Sequence, residues 1–454
     1  MSVDFRKFFR ATDPGKTLFV ENCEADHQYY IDFSAVRGGQ IVENLRDNIS
    51  LWSPDRPTCQ LFTGHIGCGK STELLRLKAD LECQGFHVVY FDSSRELEMG
   101  DVDVGDILLA IALKVSQSLD NLTLKEPKGL KTLLQGAAKL LQTEIDLDLD
   151  ITGEFPGGQI SANTQGEVSG QFLVPGIGTI TAKAKASPDL RAKLRGYLEP
   201  RTNGILEAIN QELLEPAHQK LAQHGKKGLV VIIDSLDRVD SSPKPWGRPQ
   251  HEYLFVDRGE QLRGLHCHIV YTIPLALRFS NDFDTLMQRL ASPQVLPMVP
   301  VQYKDGRECT EGMQLLRQMV LARAFPELAP HQRLEKISAV FDSLETLDRL
   351  CRVSGGHVRN LLRMLNDGIK KQRGVPICRD TIEQVIRTYR NQRILAITND
   401  EWVLLRQVAR QKTVAGSDGY TALIRSMFVY EYCDDEAGSW FDVNPILAEA
   451  KELR

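Results

Sequence analysis

The chain has 454 residues, 42% of them hydrophobic and 25% charged, with a formal net charge of −5. That length points to about three domains with sizeable cores, and the charge balance excludes a global polycation built to coat nucleic acid. No apolar run approaches the ~20 residues that span a bilayer. The opening residues lack the apolar core of a signal peptide, and the nine scattered cysteines contain no C-x-x-C pair, so reduced thiols in a cytoplasm are expected rather than a disulfide or zinc framework.

Residues 1–57 precede the first core strand. Ile41, Val42 and Leu45 fit one face of a helix entered through Gly38-Gly39, which reads as a helix packed on the core. Thr58–Phe62 is a short β-prone run. Gly64, His65, Ile66, Gly67, Cys68, Gly69, Lys70 and Ser71 then spell G-x-x-x-x-G-K-S, and Thr72 leads into a helical pattern carrying Leu74, Leu75 and Leu77. Strand, glycine-rich loop and helix in that order predict a phosphate-binding loop. The glycines let backbone N–H groups curl round phosphates, and the helix start adds unpaired N–H groups and its positive dipole end. Lys70 is then the candidate for the β/γ-phosphates and Ser71 for Mg²⁺. With a nucleoside triphosphate expected here, the segment before the loop gains a second reading, as a wall against the base. Cys68 inside the loop would make binding sensitive to oxidation, though small residues suit such loops anyway.

His87–Asp92 reads as a buried strand and residues 104–118 as a helix. Residues 129–188 break this rhythm. Glu144–Thr152 alternates polar and apolar residues, a Gly/Ser/Thr-rich span comes next, and Thr181–Ala186 alternates again. These predict a β-rich insertion, either a surface elaboration or an element for docking or self-association; alternation alone also admits a membrane-active hairpin. After a helical stretch over 189–224, Leu229-Val230-Val231-Ile232-Ile233 forms a continuous run suited to a central parallel strand. It ends in Asp234, placed to hold a Mg²⁺ shell. Asp237 either orients or deprotonates an attacking water or caps the next helix. The insertion accounts for the long interval between Lys70 and Asp234.

Leu265–Pro274 is another buried strand with Thr272 at its polar end, 282–290 a helix ending at Arg289, and 293–301 a further strand. Strands alternating with helices imply a three-layer α/β domain with a parallel sheet and its ligand at the strand C-ends. From residue 309 the chain becomes helical. Over 355–396 nine Lys/Arg stand against three acids, which fits a solvated basic face or a surface for phosphate, an acidic neighbour or nucleic acid. Residues 399–454 read as two helices and a hairpin, the order of a winged helix, but ten acids against six Lys/Arg disfavour DNA there and favour packing or protein contact.

With these residues in hand, the chain resembles the P-loop ATPases of the AAA+ superfamily, in particular the branch of the origin-recognition-type and STAND (NACHT-like) ATPases. GHIGCGKS and LVVIIDSLD carry the resemblance most specifically; Thr272, Gly355-Gly356-His357-Val358-Arg359 and the terminal winged helix extend it over most of the chain outside 129–188. The resemblance implies a base-binding segment at Arg37, a first sensor at Thr272, a second sensor at Arg359 reaching the terminal phosphate, and an arginine finger at Arg289 acting on a neighbouring copy. It divides the chain into an N-terminal segment (1–57), a nucleotide-binding core (58–308), a helical lid (309–398) and a winged-helix-like domain (399–454). Ser235 stands where AAA+ motors carry Glu, which implies slow hydrolysis. The lack of an Asn-Lys-x-Asp motif favours ATP over GTP. The expectation is a cytoplasmic Mg²⁺- and ATP-dependent switch controlling self-assembly or a partner protein in signalling or defence. The alternative is an ATP-dependent DNA-binding initiator or transposition regulator.

Overall fold

The computed structural model describes residues 3–19, 24–119, 123–125, 128–130, 132–133, 136–137, 167–169, 187–416, 418–434 and 438–453. Five strands, β1 (Cys59–Gly64), β2 (His87–Asp92), β3 (Leu229–Asp234), β4 (His268–Thr272) and β5 (Pro293–Leu296), form one sheet in the order β2-β3-β4-β1-β5. Every neighbouring pair in it is parallel. The runs are apolar throughout because both faces are covered, and the two-residue period of a strand divides them. Leu61, Val231, Ile233, Ile269 and Tyr271 enter one core cluster. Phe62, Val230, Ile232 and Val270 enter the other.

Helices supply the outer layers. Helix α1 (Phe5–Ala11) comes first, then α2 (Ile41–Asp47), α3 (Lys70–Cys83) and α4 (Val104–Ser118). Val42 and Leu45 of α2 with Leu74, Leu77 and Leu81 of α3 cover one face. Ile107, Leu108, Ile111 and Val115 of α4 cover the other, beside Ile205, Ile209, Leu254 and Leu262 from later helical segments. The fold is therefore a three-layer α/β P-loop nucleoside-triphosphatase fold with a parallel sheet.

Two short segments beside the insertion, Thr123–Lys125 and Glu167–Ser169, pair antiparallel. The strand expected over Glu144–Thr152 and the alternating Thr181–Ala186 lie outside the described residues.

The segment expected to form a helical lid, called the lid below, contains α5 (Thr310–Ala324), α6 (Leu344–Ser354), α7 (Val358–Gln372) and α8 (Arg379–Ile394). Phe8 of α1, with Phe33 and Val36, is buried in the lid's cluster and not in the sheet's. The N-terminal segment thus bridges core and lid. Its hold on the lid is partly polar: Asn366 Nδ2 donates to Thr12 Oγ1 at 2.9 Å.

After α9 (Asn399–Gln411) and α10 (Asp418–Arg425), β6 (Val429–Asp434) and β7 (Gly438–Val443) make the antiparallel hairpin. This is the helix–helix–hairpin order of a winged helix. α9 starts at a capping box in which Thr398 and Glu401 satisfy each other's backbone N–H groups. The core of this C-terminal unit includes Leu275 from the α/β part of the chain, with Phe279 and Val295 against it. The hairpin itself joins the sheet's α3-side layer, since Tyr430, Tyr432 and Trp440 are buried there. The strand expected over 293–301 ends at Leu296; the Met298 N–H instead donates to Glu431 O of β6 at 2.9 Å.

Candidate functional site

β1 delivers the chain at Gly64 and α3 receives it at Lys70. Between them Gly67 (φ 90°) and Gly69 (φ 110°) adopt left-handed backbone angles that favour glycine. A Cβ at Gly69 would meet nothing within 4 Å, so the angle alone selects glycine there. At Gly67 a Cβ would come within 2.6 Å of His357 Cε1 and 3.0 Å of Arg359 Cβ. That glycine also makes room for the lid to rest on the loop.

Lys70 is buried. Its Nζ donates to Gly64 O at 2.7 Å and His65 O at 2.9 Å, and lies 2.9 Å from Asp237 Oδ2. Burial opposes its charge most strongly, but Asp237, with Cys68 and Asp234 adding, raises the ammonium pKa above its ordinary value. Asp234, at the end of β3, accepts from Tyr90 Oη at 2.8 Å and the Ser235 N–H at 2.6 Å, and the Ser71 hydroxyl also bonds it. Burial, helped by the neighbouring Asp237 charge, raises the Asp234 pKa. A buried carboxylate beside a hydroxyl and a second acid is a place where a cation relieves the cost of charge. The hard oxygen donors of Ser71 and Asp234 suit Mg²⁺, which takes few protein ligands and completes its shell with phosphate oxygens and water. Among the described residues no group of three or more His, Cys, Asp or Glu is arranged to hold a metal ion without a ligand's help.

Thr272 at the end of β4 is fully buried. Its hydroxyl accepts the Leu236 N–H at 2.9 Å and donates to Ile233 O at 3.3 Å. It thereby holds the Asp234–Asp237 turn, in which Ser235 sits at φ 66°, a left-handed angle that costs a non-glycine residue roughly 1–2 kcal/mol.

One cleft brings together Ile66, Gly67, Gly69, Lys70, Ser71 and Thr72 from the loop, Asp234, Ser235, Asp237 and Arg238 after β3, and Val358, Arg359 and Leu362 from α7. Six assigned residues do not line it: Gly64, His65 and Cys68 of the loop, and Arg37, Thr272 and Arg289. Arg37 is buried beneath the loop, where its Nη2 donates to Cys68 O at 2.9 Å and its guanidinium lies over the Phe33 ring. Pro14–Thr17, which the sequence did not single out, do line the cleft. Thr272 acts on the turn behind the cleft. Arg289 is exposed at the end of the Phe283–Arg289 helix, near Val256 O at 3.4 Å.

Two histidines tie the loop to other domains. Asn360 N donates to His357 Nδ1, so the ring's Nε2–H donates to Ile66 O at 2.9 Å. His65 is buried inside the loop, and its Nε2 accepts the Glu431 N–H of β6 at 3.0 Å. Tyr430 stands 5.7 Å from both imidazoles. Its hydroxyl accepts from Asn360 Nδ2 at 3.1 Å and Asn444 Nδ2 at 2.9 Å. Burial, with the nearby His357 and Lys70 charges, holds the His65 pKa down to about 3. Burial, with Arg359 adding, holds that of His357 down to about 3. Both rings are neutral at physiological pH, as an imidazole accepting an N–H requires.

No protein-family model matches the chain, and no curated protein matches it. Among solved structures it is similar to the ORC2 protein of Aeropyrum pernix in ADPNP–ADP complexes, at 11% identity and a TM-score of 0.42, covering 100% of this chain and 97% of that one. The Walker-type ATPase PABY2304 of Pyrococcus abyssi is similar at 10% identity and a TM-score of 0.40, covering 93% and 98%. Cdc6p from Pyrobaculum aerophilum is similar at 10% identity and a TM-score of 0.38, covering 94% and 99%.

Proposed function

We propose that the protein is an AAA+-type, Mg²⁺- and ATP-dependent switch whose phosphate loop reports its occupancy to the lid and to the C-terminal hairpin. One observation supports this most: three consecutive loop residues are each hydrogen-bonded to another domain. His65 accepts from Glu431, while Ile66 O and Gly67 O accept from the His357 ring and the Arg359 N–H, the last at 3.2 Å. A loop that reshapes round phosphate disturbs all three contacts, so ATP binds the states with different affinity, as a switch requires.

In this reading Lys70 exchanges Asp237 for phosphate oxygens, and Ser71 with Asp234 holds Mg²⁺, which supplies charge neutralisation at the phosphates. Arg359 approaches the terminal phosphate from the lid. Asp237, released from Lys70, orients a water. Turnover is slow because Ser235 supplies no carboxylate beside Asp234 and Asp237 begins committed to Lys70. Arg289, outside its own cleft and exposed, serves a neighbouring copy. The test is Mg²⁺-dependent ATP binding, then turnover at rising protein concentration with and without Arg289→Ala. Binding lost in Lys70→Ala and a rate that climbs with concentration in the wild type but not in R289A support the reading. Wild-type ATP affinity in K70A overturns it.

A second reading, an ATP-dependent DNA-binding protein, is favoured by one observation. Arg363, Lys371, Arg373 and Arg387 are exposed on the lid and none forms an ion pair with the described residues. Duplex binding that requires ATP and weakens steeply with salt would establish it.

A further inference from the structure

We propose that Arg238 is a second arginine of the same chain that contacts the terminal phosphate, making the cleft selective for a triphosphate over a diphosphate. The proposal rests on the nucleotide reading of this cleft. Arg238 ends the short turn Leu236–Arg238 just after Asp234 and lines the cleft with Lys70, Asp237 and Arg359. It is exposed, and its side chain makes no hydrogen bond or ion pair with the described residues. The acid that senses its charge is Asp92, which lies beyond ion-pair distance.

Arg359 is equally without a carboxylate partner among the described residues, and after burial its guanidinium is disfavoured next by the charges of Arg238 and Arg363. Two guanidiniums thus line one cleft together with Lys70. Asp237, an acid lining the same cleft, is held by Lys70 at 2.9 Å. Like charges brought together without counter-charge destabilise one another. A polyanion between them removes that cost and gains charge-assisted hydrogen bonds from planar donors suited to phosphate.

The neighbours of Arg238 indicate which phosphate. It directly follows Asp237, which holds Lys70, the residue placed at the β/γ-phosphates. Asp237 and Arg238 also line an adjoining hollow with His65, His251, Pro274 and Arg425. The terminal phosphate is the group that separates ATP from ADP.

The experiment measures binding of Mg·ATP and Mg·ADP to the full chain by calorimetry, for wild type, Arg238→Ala, Arg238→Lys and Lys70→Ala. Removing the repelling charge means that R238A should keep or slightly raise the ligand-free melting temperature, and R238K, which keeps the charge, should leave it unchanged. R238A is expected to weaken ATP about tenfold or more and ADP by less than about threefold, with R238K recovering part of the loss. Equal weakening of ATP and ADP, or no change in either, overturns the role of Arg238 while K70A still tests the nucleotide site. Failure of the wild type to bind either nucleotide overturns both.

Discussion

The imidazole of His65 accepts the main-chain N–H of Glu431 at 3.0 Å, across 366 residues of sequence. A loop built to wrap phosphate therefore carries, on its second residue, the anchor of the C-terminal hairpin. Glu431 is further fixed because its carboxylate pairs with Arg278 of the core and its carbonyl accepts the Met298 N–H. Movement of the loop cannot leave β6 undisturbed.

Gly67→Ala should lift the lid. The added methyl meets His357 and Arg359 at the start of α7, and at φ 90° the substitution also strains the loop. A destabilisation of about 1–3 kcal/mol is expected from such overpacking. Amide exchange over 357–362 should rise while the sheet strands stay protected.

Asp237→Asn should lower the melting temperature of the ligand-free protein and enlarge the gain on adding Mg·ATP. Removing one partner of a buried pair costs about 3–5 kcal/mol; the lower end applies because Lys70 keeps its two carbonyl acceptors. Phosphate then satisfies the ammonium that Asp237 had held. ATP turnover should fall at least about tenfold if the carboxylate orients water.

Acid should destabilise the protein through His65 and His357. Their folded pKa values near 3 lie below the ordinary 6.5. The unfolded chain therefore takes up protons below about pH 6.5 while the folded one does not until near pH 3. The stabilisation is full above that window and is lost as pH falls through it, by up to about 1.4 kcal/mol per pH unit per histidine. Denaturant titrations at pH 7.5 and 5.5 should show a smaller acid loss in His65→Asn than in the wild type.

Thr272→Val should disturb the Asp234–Asp237 turn without touching the cleft surface. The buried Leu236 N–H loses its acceptor, a cost of about 1–3 kcal/mol. Mg²⁺-dependent ATP affinity should fall because Asp234 is no longer held in place, and the melting temperature should fall with it.

The sheet and the phosphate loop were legible in the sequence because their signals are local. The Leu229–Ile233 run can be buried only between two layers, and glycines at 64, 67 and 69 before Lys70 have a single economical use. Asp237 was legible as an acid near the site, but its pairing with Lys70 needed two elements in three dimensions. Arg37 was assigned to the base by resemblance, yet its guanidinium lies under the loop at Cys68 O. Pro14–Thr17, which does line the cleft, carries no pattern stronger than a turn. Least legible was the hairpin: Tyr430, Tyr432 and Trp440 alternate as any half-buried strand would, and nothing in that period says that the face they cover is the nucleotide-binding core.

Exchange of the β6 amides is the most direct test of a loop that reports to the hairpin. Hydrogen–deuterium exchange over 429–434 would be measured in wild type and Lys70→Ala, each with and without Mg·ATP. Exchange of the Glu431 segment should change by about tenfold or more when ATP binds the wild type, and should not respond in K70A. Saturating ATP on the wild type with unaltered exchange over 429–434 would contradict the account.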